Sequence, residues 1–487
     1  MSAKFYDTLL WEYIKNPWIR WLSLDKLSQK DFWYRMISYD EITNKKKLNF
    51  IDIELKNASI YSWEDVYITN KLYLKQSEEK TIENKVLNNI EIPLIKVLQK
   101  MEIDWVFIDR DRLKWIWTQL EQEITHLEKS IHEETEEEFN IKSPKQVGNI
   151  LFEKLGLPKW KKNKTWYSVS ADVLWELAHE YPIAQKIVDY RHYTKLQSTY
   201  IEWLLDLLDE NSLVHTSYNT AVTATWRFSS TNPNLQNIPS SDWIAGEIRD
   251  AFISRFEKWK IIALDYSQVE VRLLAIMSED KNLLEAFKEW IDIHHRTAEF
   301  IFPNQTITNN ERKIAKAVNF WVIYWISSFW LSKMIWITIK DAKVYINKFY
   351  ESYPKVKDFM ESTIKSCEKN KYVETLFWRK RYINWINDLN KIIKSSAERE
   401  ATNMPIQWTS ADIIKIAMIE IYDFFNKNKL KSKMIMQVHD ELVFDVYPWE
   451  EEKIKKEAKN IMQNILKDKP IVLKVDIWEW QTWKEAK

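Results

Sequence analysis

The chain has 487 residues, 45% of them hydrophobic and 29% charged, which is the composition of a soluble globular protein of about three domains. Lys+Arg and Asp+Glu stand at 71 each, so the net charge is +0; this excludes a global basic field, and any contact with nucleic acid has to use local patches. One cysteine, Cys367, excludes an intramolecular disulfide framework, and the charged N-terminus and the lack of an apolar run of ~18 residues exclude a signal peptide and a membrane helix, so a cytoplasmic protein with no membrane segment is expected.

Glycine and tryptophan stand in inverted proportion. There are 3 glycines and 27 tryptophans, where glycine usage of about 7% is normal. Trp18 and Trp449 each follow a proline; Pro-Gly is a turn signal because glycine supplies positive φ, and Pro-Trp is not. Such an inversion arises when a gene that reads UGA as glycine is translated with a table that reads it as tryptophan. The plain alternative is a tryptophan-rich core.

In chain order, residues 1 to about 80 mix short helical patterns with charged loops, and residues 88–210 are mostly helical, with Leu120, Ile124, Leu127 and Ile131 at three- and four-residue spacing. The acidic run Glu133–Glu138 reads as a solvated face or loop, and the basic run Lys159–Lys164 as a surface loop or a phosphate contact. Residues 211–295 are mixed α/β and residues 296–400 strongly helical. The last 80 residues hold a hairpin, with strands over 433–438 and 442–446 joined through His439, Asp440 and Glu441.

Four constellations carry chemistry. An apolar strand from Lys260 ends at Asp265, ahead of Tyr266, Gln268, Glu270 and Arg272 on the start of a helix; a carboxylate there is exposed and rigidly held, as a metal ligand needs, and the simpler reading is a helix N-cap. Asp440 and Glu441 at the hairpin tip, paired in space with Asp265, would make a two-metal site with ions ~3.5–4 Å apart for in-line phosphoryl displacement. Arg312, Lys316, Phe320 and Tyr324 recur every four residues and so form one slowly turning helical stripe, two cations for a triphosphate followed by two aromatics for a base. The polar, unperiodic segment 223–239 (TATWRFSS, then PNLQNIP) reads as a surface that donates hydrogen bonds to a nucleic-acid backbone or minor groove.

Taken together these segments resemble family A DNA polymerases of the bacterial polymerase large-fragment type. DYSQVEVR at 265–272, RKIAKAVNFWVIYW at 312–325 and QVHDE at 437–441 occur in the family's order, supported by DIHHRTA at 292–298, TLFWRKRY at 375–382, NMPIQWTSADIIKIAM at 403–418 and the tail DIWEWQTWKEAK. Against the family pattern, Trp226, Trp321, Trp325, Trp378, Trp408, Trp478 and Trp480 stand where glycine is usual, whereas Trp483 looks like a genuine tryptophan.

The resemblance implies an α+β right-hand polymerase: a partial 3′–5′ exonuclease-like remnant at 1–85, thumb at 86–210, first part of the palm at 211–295, fingers at 296–402, second part of the palm at 403–487. It implies that Asp265 and Asp440, assisted by the Tyr266 carbonyl, hold two Mg²⁺ ions, with Glu441 an auxiliary catalytic carboxylate. Gln268, Glu270, His294, Arg312, Lys316, Phe320 and Tyr324 would bind the nucleotide, with Glu270 blocking a ribose 2′-OH and Phe320 disfavouring dideoxynucleotides. Arg227, Asn234, Gln236, Asn237, Arg399, Asn403, Gln407 and His439 would contact primer–template DNA. The implied partners are primer–template DNA and deoxynucleoside triphosphates, on a monomeric, bacterial, cytoplasmic, nucleoid-associated enzyme.

The pattern breaks at the start. Tyr61 and Asp65 match only the last exonuclease motif, and one carboxylate cannot hold two metals, so proofreading is expected to be absent. The competing readings are a single-subunit RNA polymerase, against which Glu270 speaks, and a non-catalytic DNA-binding protein, which holds if the tryptophans are literal and block the nucleotide helix.

Overall fold

A computed structural model describes residues 5–484 except 18, 20, 21, 80–82, 159–166, 224, 240–242 and 304. The basic run Lys159–Lys164 and Trp18 therefore lie outside the described residues. The described part is helix-rich with a central sheet, an α+β fold.

The sheet has four antiparallel strands, β1 (Lys260–Tyr266), β2 (Lys433–Val438), β3 (Glu441–Val446) and β4 (Val475–Trp480), in the order β4–β1–β3–β2. The sequences of β1, β2 and β3 are nearly continuous apolar runs because helices cover both faces. On one face Ile262, Leu264, Leu442 and Phe444 join the core of α6 (Val269–Ser278), α10 (Lys391–Lys427) and α11 (Glu451–Asn464). On the other, Ile261, Ala263, Val443 and Met436 pack with α4 (Arg110–Thr135) and α5 (Pro182–Lys195). Each such buried aliphatic side chain contributes roughly 1.5–3 kcal/mol. The periodic Leu120, Ile124 and Ile131 lie on the buried stripe of α4, as their spacing predicts.

Between β1 and β2 the chain runs through α7 (Ile293–Ile301), α8 (Asn309–Ile323) and α9 (Pro354–Asn370). A small hairpin pairing Tyr372–Glu374 with Lys380–Tyr382 then interrupts the helical stretch expected over 296–400. The N-terminal segment forms α1 (Thr8–Lys15) and the 24-residue α2 (Leu55–Glu78), and α3 (Ile92–Asp104) follows it. Tyr13 of α1 donates its hydroxyl proton to the Thr223 carbonyl, so this segment supports the polar loop ahead of the sheet.

A fully buried charge cluster ties three distant segments together. Glu91, the residue before α3, accepts from Arg379 Nη2 at 2.7 Å and from Lys415 Nζ at 2.8 Å. Arg379, in the small hairpin, also donates to Asp412 of α10 at 2.5 Å. Two cations and two carboxylates balance, which is the condition under which burial of charge is tolerated; removing one partner of such a set costs about 3–5 kcal/mol.

The backbone distinguishes two kinds of tryptophan. Nineteen described non-glycine residues have positive φ, and seven are tryptophan: Trp33, Trp105, Trp226, Trp290, Trp325, Trp336 and Trp378. Trp33 and Trp336 occupy the left-handed position just past a helix end, where glycine is the usual residue. Trp105, at φ 56° and ψ 168°, lies in a region that is essentially reserved for glycine. Trp226 and Trp408 are buried against one another with no hydrogen-bond partner for either indole N–H among the described residues. Trp483 is buried as well, with Phe252 and Arg249 packed on its ring, but its Nε1–H is satisfied, donating to Glu441 at 2.8 Å.

The two classes should respond oppositely to glycine. In protein made from the written sequence, Trp33→Gly, at a position 86% exposed, should raise stability by about 1 kcal/mol in thermal unfolding, and Trp33→Ala should not, because alanine carries the same Cβ penalty. Trp483→Gly should lower stability by about 3–5 kcal/mol.

Candidate active site

The sheet register assembles the two aspartates. Asp265, on the last turn of β1's path before Tyr266, lies opposite Glu441 of β3 and Asp476 of β4. Directly opposed residues on an antiparallel pair have Cβ atoms ~4.5–5.5 Å apart. Beyond the last strand pair, the Tyr266 N–H donates to the Asp440 carbonyl at 3.1 Å, which pins the hairpin tip to the end of β1. His439 takes the positive φ of 55° that this tight turn requires. Asp265 is no helix N-cap: α6 starts after Gln268, which sits in the left-handed region and makes no side-chain cap.

Asp265 and Asp440 are half-exposed, whereas Glu441 is buried with its Oε1 on Trp483. The oxygen ligands at the surface are thus two carboxylates, hard donors that fit a divalent cation of the Mg²⁺ or Mn²⁺ type completed by water and substrate oxygens. Among the described residues no group of three or more His, Cys, Asp or Glu forms a closed metal cage. Arg227 places its guanidinium 3.7 Å from Asp440 Oδ1 and 3.4 Å from Glu270 Oε1, supplying positive charge to the acidic cleft.

Glu270 opens α6 as a buried carboxylate. Burial raises its pKa, while the Tyr324 hydroxyl, which donates to its Oε2 at 2.8 Å, and Arg227 pull it back. Tyr324 also hydrogen-bonds Gln407 of α10, so one phenol bridges α6, the end of α8 and α10. The spacing places Tyr324 on the helical stripe; in the structure α8 ends at Ile323 and Tyr324 is its C-cap, φ −87° and ψ 14°. From there its hydroxyl reaches Glu270. Trp325 follows at φ 53°, a backbone suited to glycine that ends the helix there.

Along α8, Lys316 and Phe320 are exposed, and Phe320 lies 5.1 Å, ring to ring, from Tyr324. Arg312 donates to Asp292 Oδ2 at 2.7 Å, joining α8 to the cap of α7. His294, the second residue of α7, is buried, with Gln268 3.2 Å from Nε2 and Asn319 2.9 Å from Nδ1. Trp321, written where the family pattern has glycine, packs its ring 5.4 Å from Phe320 and 5.7 Å from Tyr324.

The expected DNA contacts fall into three groups. Arg227 reaches Asp440, His439 precedes it at the hairpin tip, and Gln407 meets Tyr324. Gln236 donates to Gln437 Oε1 at 2.8 Å, and Asn234 Oδ1 accepts from the Gln236 N–H, so these two fix the loop against β2, with Asn237 exposed beside them. Arg399, exposed, and Asn403 lie on α10 two turns and one turn, respectively, before Gln407. Tyr61 and Asp65 sit together on α2, where they hydrogen-bond one another; among the described residues none of their contacts reaches the site.

Sequence reasoning did not single out Asn319, Asp292 or Gln437, although all three lie inside or beside the quoted motifs. Nor did it find the cluster of Glu91, Arg379, Asp412 and Lys415, which is joined only in space.

The model of DNA polymerase family A matches residues 110–485. The chain is 41% identical to DNA polymerase I of Bacillus subtilis (strain 168) over 490 residues, covering 99% of this chain and 55% of that protein. It is 40% identical to DNA polymerase I of Geobacillus stearothermophilus over 435 residues, 89% of this chain and 49% of that protein. Among solved structures it is similar to the POL domain of Pol1 from M. smegmatis in complex with DNA primer-template and dNTP, with a TM-score of 0.86, 29% identity, and 99% of this chain and 82% of that chain covered. The chain spans about half the length of the curated relatives it matches. No helix among the described residues is long and apolar enough to cross a membrane.

Burial, reinforced by Arg312 and Lys316 and opposed by Asp292, pushes the His294 pKa down to about 4. The unfolded chain, with a histidine pKa of about 6.5, takes up the proton first as pH falls. Stability from neutral His294 is therefore complete above pH ~6.5 and is lost progressively towards pH 4, by up to about 3 kcal/mol. Urea unfolding of wild type and His294→Gln across that window should show a shallower pH dependence in the variant.

Proposed function

The chain belongs to DNA polymerase family A, and on that premise we propose that it extends a primer 3′-OH with deoxynucleotides directed by a DNA template. The observation that carries the proposal is the pairing of β1 with the β2–β3 hairpin, which brings Asp265 and Asp440 to one cleft bordered by Arg227, Glu270 and Tyr324. Polymerases of this family use divalent metal ions; here the finer assignment is two Mg²⁺ held by Asp265, Asp440 and the Tyr266 carbonyl. Bound there, the ions supply charge neutralisation for the reacting phosphate and acidify the primer hydroxyl.

The chain's own residues do the rest by positioning and charge. Arg312 and Lys316 neutralise the triphosphate, and His294 adds a neutral donor. Glu270 and Gln268 line the sugar, with Glu270 occupying the space of a 2′-OH; the Tyr324 hydroxyl holds that carboxylate in place. Tyr324 and Phe320 offer stacking surfaces to the bases. Arg227, Asn234, Gln236, Asn237, Arg399, Asn403, Gln407 and His439 line the path of primer–template DNA. In this reading residues 86–210 are the thumb, 211–295 and 403–487 the palm and 296–402 the fingers, whose closure gates the reaction. The setting is a bacterial cytoplasm, in replication and repair.

Close approach of nucleotide and template to α8 needs bare backbone at 321 and 325, and the positive φ of Trp325 fits glycine. Glycine at 226, 321, 325, 378, 408, 478 and 480 is accordingly part of the proposal.

Asp265→Asn should lower primer extension at least ~1,000-fold, the scale of several kcal/mol of lost charge stabilisation, while the Kd for primer–template stays within about threefold. Substantial extension by that variant contradicts the site assignment. Phe320→Tyr should incorporate dideoxynucleotides more readily than wild type in a chain-termination assay; equal incorporation contradicts the role given to Phe320.

A further inference from the structure

A buried relay runs behind His294, and its polarity can be read. Asn319 Nδ2 lies 3.3 Å from the Ile293 carbonyl, which can only accept, and Asn319 Oδ1 receives the Thr297 hydroxyl at 2.9 Å. These two partners fix the amide: the nitrogen, a donor, faces His294 Nδ1 at 2.9 Å. Tyr353 closes the chain with its hydroxyl 3.1 Å from Thr297 Oγ1. Asn319, Thr297 and Tyr353 are each at most 1% exposed, so no water competes for these bonds.

A neutral imidazole has one donor and one acceptor nitrogen. With Nδ1 accepting from Asn319, the ring proton sits on Nε2. That nitrogen lies 3.2 Å from Gln268 Nε2; two donors cannot share this contact, so the Nε2–H tautomer requires the Gln268 amide in its flipped orientation, oxygen towards the ring, on the side where the charges of Arg312 and Lys316 act on His294.

We propose that Asn319 is a positioning residue that locks His294 in the Nε2–H tautomer, so that an uncharged donor faces the triphosphate of the incoming nucleotide. The relay acts through geometry alone: Asn319 touches no substrate, and the donor it orients stays fixed without adding charge to a site already holding two cations. The triphosphate part rests on the polymerase reading; the tautomer part does not.

The test uses full-length protein with ¹⁵N-labelled histidine, His294 being assigned by the signal lost in His294→Gln. The expected result is the Nε2–H pattern in the nucleotide-free wild type and a switch to Nδ1–H, or to imidazolium, in Asn319→Asp, which keeps the side-chain shape and replaces the donor by an acceptor. An Nδ1–H or mixed pattern in the wild type overturns the proposal without any variant, as does an unchanged tautomer in Asn319→Asp. In steady-state extension, Asn319→Asp should raise the dNTP KM about tenfold, the loss of one hydrogen bond to a charged group, with primer–template affinity unchanged. In a His294→Gln background the same change should shift KM less than about twofold. Full additivity overturns action through His294. A tautomer switch with no change in KM supports the relay and counts against the nucleotide reading of this cleft alone.

Discussion

The pairing of β1 with β3 is the interaction on which everything else rests. It sets Asp265 opposite Glu441 and lets the Tyr266 N–H reach the Asp440 carbonyl, so two carboxylates about 175 positions apart in sequence share one cleft. Side chains alternate along a strand, and a slip of one residue would send Asp265 to the opposite face and exchange Ile262 and Leu264 with Ile261 and Ala263 between two cores packed for different side chains. Burial on both faces of the sheet forbids that slip. The hydrophobic effect thereby fixes the geometry of the most polar part of the molecule.

Around the sheet, the cleft is completed by residues that lock one another. Tyr324 joins Glu270 to Gln407, Arg227 joins Glu270 to Asp440, and Arg312 joins α8 to the start of α7. Below them the buried set of Glu91, Arg379, Asp412 and Lys415 fixes α10 against the small hairpin and the start of α3. Arg379 lies 3.9 Å from the ring at position 226, the residue before Arg227. A shift in this cluster therefore reaches the cleft through a single peptide.

Much of this is written locally. The strand ending in Asp265, the hairpin ending in Asp440 and the cations of α8 each follow from short-range pattern, because apolar runs and four-residue spacings report directly on backbone geometry. What the pattern hides is of two kinds. Tyr324 continues the stripe in sequence but lies past the end of its helix, because residue 325 adopts a left-handed conformation that a written tryptophan conceals. Asn319, Asp292 and the four-charge cluster depend on contacts between segments 20 to more than 300 residues apart, which no periodicity encodes. The 24-residue α2 was obscured for another reason: its exposed Trp63, Val66 and Leu74 blur the amphipathic signal of a surface helix.

The nucleotide cleft depends on a backbone made for glycine. The positive φ at 226, 325 and 378, the indole N–H groups at 226 and 408 with no hydrogen-bond partner among the described residues, and the crowding of Phe320 and Tyr324 by the ring at 321 all point to the same residue type. The direct measurement is mass spectrometry of the tryptic peptide that follows Lys316 in protein taken from its native source and shown to extend primers. Positions 321, 325 and 330 should weigh as glycine. Tryptophan masses at 321 and 325 in an active enzyme would contradict the account of the nucleotide cleft.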